Sequence, residues 1–337
     1  MSARTKQAIK VILGVITGLL LLNLFCTFYY NPTAYVPSDN GATDLVRESG
    51  AFTSRATEGI AWMTIDENGY VNASAPGEDG IFVLMMGSSH TEALNVMPGE
   101  SASAQLGLML GDAGYTGCVY NIGMSSHTMV RNVSNFPSAL DSYTPTGYVV
   151  LETADVIMYT HSLEDARTGG LDELPATGAD APGFITDIPL FKTLYRQFSN
   201  LTGEGHTELY ADYIPEDAMA RYEAELVTVF TMMREVCEAH GVELIIYYHP
   251  HMNINFDGSV SPATQHQCIE AFSRAAETSG VTFIDMTPIF ESGYEMTSML
   301  PHGFNNTPAG TGHLNPYGHR LIAQELFRVI TEKEAEK

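Results

Sequence analysis

Serine and histidine residues recur in short polar segments that follow apolar runs of this 337-residue chain. Residues 87–91 read GSSHT after one such run, and residues 310–319 read GTGHLNPYGH near the C-terminus. A serine hydroxyl becomes a nucleophile when a base takes its proton and when hydrogen-bond donors stabilise the developing oxyanion. Ser89 and His313 have the side chains for these two roles, and we predict them as the nucleophile and the base.

The oxyanion donors are expected to be backbone N–H groups. A sharp turn at Gly87 would make Ser89 the start of a helix, where N–H groups are free and the helix dipole favours an anion. Gly123 follows the second apolar run and offers an N–H without a blocking side chain. We therefore predict that Ser89 and Gly123 donate to the oxyanion. The simpler alternatives are a helix-capping serine and a turn glycine.

These segments must be positioned by a framework of alternating strands and helices. The short apolar runs lie at 80–87, 118–123, 148–152, 243–249 and 281–285. The helix-compatible segments lie at about 91–113, 128–140, 216–240, 262–279 and 316–333. This alternation is typical of a parallel sheet covered on both faces. We predict one three-layer α/β/α domain over 80–335, with a mostly parallel five-stranded sheet and an insertion at about 160–216. In such sheets functional residues gather after the carboxyl ends of the strands.

The N-terminus has the composition of a membrane anchor. Residues 11–30 contain no charged side chain, and their ~20 residues at ~1.5 Å per residue span a hydrocarbon core of about 30 Å. Arg4, Lys6 and Lys10 precede this segment and predict a cytoplasmic tail at 1–10, with the rest of the chain outside the membrane. A cleaved signal peptide is the alternative. Residues 31–79 are rich in Asn, Pro, Ser and Gly, and we expect a stalk there.

Composition excludes several classes of protein. A formal net charge of −24 argues against a nucleic-acid partner, and 45% hydrophobic residues argue against disorder. The four cysteines show no CxxC spacing and do not form a disulfide framework. His249 and His251, with the other histidines near the C-terminus, could in principle bind zinc, but their spacing matches no common zinc motif. We therefore expect neither a metal nor a cofactor.

The polar segments resemble the motifs of the SGNH/GDSL hydrolases. The nucleophile block of that family reads roughly G-D-S-x-T, and residues 87–91 match it with Ser88 in place of the Asp. Gly123 matches the glycine of the second block, and residues 310–319 match the block D-x-x-H. The resemblance implies the flavodoxin-like fold of these hydrolases, action on ester bonds, and a catalytic pair of Ser89 and His313.

Two positions depart from the family pattern. Ala154 stands where the third block has an asparagine that serves the oxyanion, and Gly310 stands where an acid precedes the histidine by three residues. The carboxylate that would orient His313 is therefore missing from its usual place. Asp285, Asp155 or Glu152 could approach from another loop, or a backbone carbonyl could orient the ring.

A strand-end Glu152, the GSS turn and the N-terminal anchor look more like the acyl-transfer branch of the superfamily, which includes the alginate O-acetylation proteins and the teichoic-acid D-alanyl transfer protein. The resemblance implies an extracytoplasmic serine esterase or O-acyltransferase, single-pass in the cell membrane. Its substrate would be acyl esters of cell-envelope polysaccharide, and a membrane-bound acyl-donor protein could be a partner. The alternative is a catalytically inactive protein of the same fold that binds carbohydrate or serves as a scaffold in the envelope.

Overall fold

The structure is a computed structural model, and it describes residues 2–29, 35–38, 43, 45–54, 58–72, 80–125, 127, 129–153, 188, 190–191, 194, 216–263, 268–305 and 307–337. Ala154, Asp155 and all but a few residues of the insertion predicted at 160–216 lie outside these ranges.

Eight α-helices are found in the described part of the chain. They are α1 (Ala3–Tyr29), α2 (Ser89–Glu92), α3 (Ala102–Asp112), α4 (Met129–Tyr143), α5 (Glu216–Ala239), α6 (Ile269–Ser279), α7 (Thr287–Thr297) and α8 (Pro316–Glu336). The strands are β1 (Tyr35–Pro37), β2 (Leu45–Arg47), β3 (Gly50–Ser54), β4 (Ala61–Ile65), β5 (Ile81–Met86), β6 (Gly117–Asn121), β7 (Tyr148–Thr153), β8 (Glu243–Tyr248), β9 (Met252–Ile254), β10 (Val260–Pro262) and β11 (Thr282–Asp285).

A parallel five-stranded sheet forms the centre of the fold, in the order β6-β5-β7-β8-β11. Counted along the chain this is the order 2-1-3-4-5 of doubly wound, flavodoxin-like sheets. The strand order reverses between β5 and β7, and a ligand crevice is expected outside the carboxyl ends of these two strands. The predicted fold class is confirmed, because all five predicted strands are present and parallel.

Helices cover both faces of this sheet. Successive strand residues point to opposite faces, and each strand therefore supplies two apolar cores. Phe82 and Leu84 of β5 pack in the core with α4, α5 and α6, whereas Val83 and Met85 pack with α3, α7 and α8. Burial on both faces explains why the strands read as continuous apolar runs.

Two predicted helices are shorter in the structure. The helix expected at 91–113 is divided, because α2 ends after one turn at Ala93, which has a φ of 61°, and α3 begins only after the cap residue Ser101. The helix expected at 262–279 begins at Ile269, and Pro262, its expected first residue, belongs to β10, which forms an antiparallel hairpin with β9. Helix α7 was not predicted, and it starts with a proline in its first turn.

Residues 31–79 differ most from the expected stalk. Their described part forms two antiparallel strand pairs, β1 with β2 and β3 with β4. Ala61, Met63 and Ile65 of β4 are buried together in a small apolar cluster. Arg47 at the end of β2 forms an ion pair with Glu92 of α2, and both side chains are almost fully buried. This segment therefore packs against the helix that begins at the predicted nucleophile, Ser89.

The N-terminal helix α1 matches the predicted anchor. Within the described residues it is the one helix long and apolar enough to cross a membrane, by length and composition, over residues 3–27. Its leucine, isoleucine and valine side chains are mostly exposed rather than packed in the protein core.

We expect Arg47→Ala to lower the free energy of unfolding by about 3–5 kcal/mol, because it leaves the carboxylate of Glu92 buried without its cation. The exposed Arg328, which pairs with Glu325 and Glu332 on α8, provides the control. Arg328→Ala should cost less than about 1 kcal/mol. Denaturant titration of the full chain in detergent, followed by circular dichroism, measures both variants. Equal losses would show that the buried pair does not fasten residues 45–72 to the core.

Candidate active site

A tight turn carries the predicted nucleophile away from the sheet. A Cβ atom at Gly87 would lie 2.1 Å from Thr91 Oγ1 and 2.4 Å from Glu152 Oε2, so only glycine lets the chain pass so close to the end of β7. Ser88 caps the helix that follows, since its hydroxyl accepts an N–H of the first turn at 3.3 Å. Ser89 is thereby fixed as the first residue of α2.

The structure brings Ser89 and His313 into hydrogen-bond contact. The distance from Ser89 Oγ to His313 Nε2 is 2.8 Å, although 224 residues separate them in the chain. His313 lies in the loop before α8, which is held by its cap residue Asn315 through bonds from the N–H groups of Tyr317 and Gly318. The side chain of His313 is 36% exposed, so a substrate can reach it. The 2.8 Å between Ser89 Oγ and His313 Nε2 is a distance at which a general base can take a hydroxyl proton.

A carboxylate holds the other side of the imidazole. His313 Nδ1 donates to Glu58 Oε2 in a short contact, and the backbone N–H of His313 also donates to the same carboxylate. Burial alone would raise the pKa of Glu58, but the hydrogen bond and the charge of His313 outweigh it and lower that pKa. Glu58 is therefore ionised at neutral pH. With Nδ1–H bonded to Glu58, the lone pair of Nε2 faces the serine, as in a Ser-His-acid triad.

None of the residues suggested from sequence orients His313 in this way. Asp285 accepts the N–H of Thr287, the first residue of α7, at 2.8 Å. Glu152 is bonded to other groups described below, and Asp155 lies outside the described residues. The acid is Glu58, from the segment expected to be a stalk, and this expectation of a mere stalk was wrong.

The only sequence signal for Glu58 lies in the glycine before the histidine. Gly312 has a φ of +85°, and a Cβ there would lie 1.9 Å from Glu58 Oε1. Both the backbone conformation and the space therefore require glycine. The segment that lacks the usual acid at Gly310 thus makes room for an acid delivered from elsewhere in the chain.

Gly123 lies beside α2, but its N–H is engaged. It donates to Asn121 Oδ1 at 2.8 Å. A Cβ at this position would lie 2.6 Å from the backbone nitrogen of Glu92 and from Thr91 Cβ, which explains why the residue is glycine. An oxyanion could use the Gly123 N–H only if the bond to Asn121 opened. The donor roles of Gly123 and Ser89 remain predictions.

A second, fully buried carboxylate lies beneath the nucleophile turn. Glu152 accepts from the N–H of Ser88 at 2.6 Å, from the hydroxyls of Ser88 and Thr91 at 2.9 Å each, and from His249 Nε2 at 2.9 Å. Burial would raise the pKa of Glu152, but these hydrogen bonds and the charge of His249 outweigh it and lower that pKa. Ser88, which replaces the aspartate of the family motif, thus ties the turn to the end of β7.

Several more histidines surround this point. The ring of His90 lies 4.6 Å from that of His249, 5.0 Å from that of His313 and 5.6 Å from that of His302, measured between centroids. Burial, followed by the charges of these neighbours, holds the pKa of His90 well below its ordinary value. His251 Nε2 donates to the backbone carbonyl oxygen of Gly312 at 2.9 Å.

Two other histidines, His127 and His319, are buried and serve the packing of the fold. Burial lowers the pKa of His127 and of His319 to about 3 each, aided by the charges of Arg131 and of His249, respectively. His319 Nδ1 accepts the N–H of Ala102 at the start of α3. Both imidazoles are therefore neutral packing groups.

The scan against protein-family models gives no match, and the search of curated proteins gives none either. Among solved structures, the chain is similar to an acetyl xylan esterase, AlAXEase, at 14% identity and a TM-score of 0.43, over 74% of this chain and 99% of that one. It is also similar to the psychrotrophic esterase EstA from Pseudoalteromonas sp., at 14% identity and a TM-score of 0.40, over 75% and 98% of the two chains. A third similar structure is a GDSL-like lipase from Bacteroides thetaiotaomicron, at 13% identity and a TM-score of 0.36, over 75% and 88%. At this level of similarity the chemistry of the site has to be argued from its own geometry.

We expect Glu58→Gln to slow the labelling of Ser89 by a fluorophosphonate by about a thousandfold or more, because disruption of the acid lowers serine protease rates by about 10⁴. Intact-mass spectrometry of the full chain over time gives the rate. The control is Glu67→Gln, the same substitution at an exposed position of the same segment, which should label like the unchanged protein. Unimpaired labelling of Glu58→Gln would remove Glu58 from the triad.

Proposed function

We propose that this protein is a serine hydrolase of the SGNH type that acts on carboxylic esters. The observation that carries the proposal is the contact between Ser89 Oγ and His313 Nε2 at 2.8 Å, with Glu58 on the opposite side of the ring. A partly exposed imidazole between a hydroxyl and an ionised carboxylate is the arrangement that activates a serine for acyl transfer.

The reaction proceeds in two steps. Ser89 Oγ attacks the acyl carbonyl while His313 Nε2 takes the hydroxyl proton, and the oxyanion is held by the predicted N–H donors. The bond from the acyl carbon to the alcohol oxygen then breaks, and His313 returns the proton to the leaving alcohol. In the second step a water molecule or a sugar hydroxyl loses its proton to His313 and attacks the acyl carbon. The bond from this carbon to Ser89 Oγ then breaks, and His313 returns the proton to Ser89. Glu58 stays ionised throughout and stabilises the imidazolium.

The site and its anchor support a more specific role in the cell envelope. Helix α1 would hold the protein in the cell membrane, and the basic residues before it favour a domain on the outer side. The remaining 307 residues carry 16 − 3 = 13 basic against 40 acidic side chains, a net charge of −27. Such a surface repels anionic polymers. We therefore propose acyl esters of a neutral envelope polysaccharide as substrates, with a membrane-bound protein as acyl donor where the acyl group is transferred.

The second candidate is a catalytically inactive protein that binds carbohydrate or acts as a scaffold. Two departures from the family motifs favour this candidate, namely Ala154 in place of the asparagine and Gly310 in place of the acid. The contact with Glu58 removes one of them, since His313 has an acid after all. The engaged N–H of Gly123 still favours this candidate, because it leaves the oxyanion with one predicted donor fewer.

Ser89→Ala should lower the turnover of p-nitrophenyl acetate by at least about a thousandfold, because loss of the nucleophile in a comparable triad costs about 10⁶ in kcat. The assay follows absorbance with the full chain in detergent. Ser259→Ala, the same substitution in an exposed hairpin, should keep the full rate. Equal rates for Ser89→Ala and the unchanged protein would favour the inactive alternative.

The acceptor of the acyl group is tested by measuring how the acyl-enzyme divides between transfer to a sugar and hydrolysis by water. With the same ester as donor, we expect mass spectrometry to detect acylated sugar when a neutral oligosaccharide is added. A uronic-acid oligosaccharide of equal length should give at least several-fold less product, because of the net charge of −27 derived above. Free acid as the sole product in every case would restrict the protein to hydrolysis.

A further inference from the structure

Three histidines from distant parts of the chain meet behind the triad. His90 belongs to α2, His249 follows β8, and His302 lies between α7 and α8. One ring nitrogen of each lies within 4.8 Å of the others. His249 and His302 are almost fully buried, whereas His90 is partly exposed. Neutral imidazole nitrogens that converge in this way are the preferred ligands of zinc and related divalent metals.

The spacing between two of these nitrogens fits a common metal. His249 Nδ1 and His302 Nε2 are 3.3 Å apart and face one another. Two ligands at about 2.0–2.1 Å from one tetrahedral zinc ion stand about 3.3–3.4 Å apart. Without a metal, a single proton would have to lie between these two nitrogens. A zinc ion would take the place of that proton from a position off the line between the two nitrogens, at the same separation of the ligand atoms.

The group behind His249 also has the arrangement of a metal ligand. His249 Nε2 bonds to the ionised Glu152 at 2.9 Å, which fixes the proton on Nε2 and leaves Nδ1 as the free lone pair. Histidine ligands almost always donate their other N–H to a carboxylate or carbonyl in this manner. The buried negative charge of Glu152 would also offset part of the charge of a divalent ion.

His90 would complete the site from the open side. Its ring is 4.6 Å from that of His249, and its Nδ1 accepts the N–H of Leu314 at 3.2 Å. Ligation through Nε2 would move the proton of His90 to Nδ1 and break this bond. Because Leu314 directly follows His313, a metal here would be coupled to the loop that carries the catalytic base.

We propose that His90, His249 and His302 form a binding site for a divalent metal of the zinc class. The site goes beyond the proposed ester chemistry, which needs no metal. The sequence alone predicted no metal, because these histidines are separated by 159 and 53 residues and match no zinc spacing. Their proximity arises from the ends of the strands and the loop before α8.

Zinc binding to the full chain in detergent tests the proposal directly. Competition with a chromophoric zinc indicator should show one equivalent bound by the unchanged protein, with an affinity that falls as the pH is lowered, since the metal displaces a proton. His249→Ala and His302→Ala should each weaken binding by about a hundredfold or more, and Glu152→Gln by about 10–100-fold. His240→Ala is the matched control, at a half-buried position directly after α5 where the histidine pairs with Asp141, and it should bind like the unchanged protein.

Two further measurements keep the outcome decisive. His313→Ala should retain zinc, which separates this site from the triad and from the proposed function. If His249→Ala or His302→Ala does not fold, His90→Ala takes its place, because His90 is the partly exposed ligand. Independently, Co²⁺ added to the unchanged protein should give the intense visible absorption of a tetrahedral site. Absence of zinc binding in the unchanged protein would overturn the proposal. So would a zinc affinity of His249→Ala, His302→Ala and His90→Ala that equals the affinity of the unchanged protein.

Discussion

The buried carboxylate of Glu152 is the constraint around which the site is built. An ionised carboxylate away from water is tolerated only when donors surround it. Here the donors come from Ser88 and Thr91 after β5 and from His249 after β8, while Glu152 itself ends β7. Three neighbouring strands are thus joined at their carboxyl ends, at the point where the strand order reverses. The turn at residues 87–91 has its shape because its N–H and hydroxyl groups must donate hydrogen bonds to the buried carboxylate of Glu152.

A second carboxylate performs the chemical task that Glu152 cannot. Glu152 is fully used by its four bonds and does not reach His313. Glu58 lies on the solvent side, orients His313, and is admitted only because Gly312 has no side chain. One acid therefore serves the structure of the turn and the other serves the imidazole. The motif that residues 310–319 resemble has an aspartate three residues before the histidine, whereas here the carboxylate beside His313 comes from Glu58, before the sheet.

The sequence predicted what depends on local pattern. The five strands and the order of elements follow from the apolar runs and their alternation with helices. The pairing of Ser89 with His313 follows from the chemistry of the two side chains and from the motif resemblance. Glu58 could not be predicted, since it precedes His313 by 255 residues and no pattern links the two. The division of the helix after α2 was also missed, because a single left-handed alanine decides it. The state of the Gly123 N–H depends on a side-chain bond to Asn121 that spacing does not reveal.

The proposed catalysis would therefore be coupled to the folding of the segment before the sheet. Glu58 follows β3 and precedes β4, and its strands are held by the buried cluster of Met63 and by the pair between Arg47 and Glu92. Glu92 belongs to the same short helix as Ser89. Residues 45–72 thus contact the nucleophile helix at one point and the base at another. A segment that the sequence suggests is only a connection is, by these contacts, part of the candidate active site, and any force or partner that displaced it would separate His313 from Glu58.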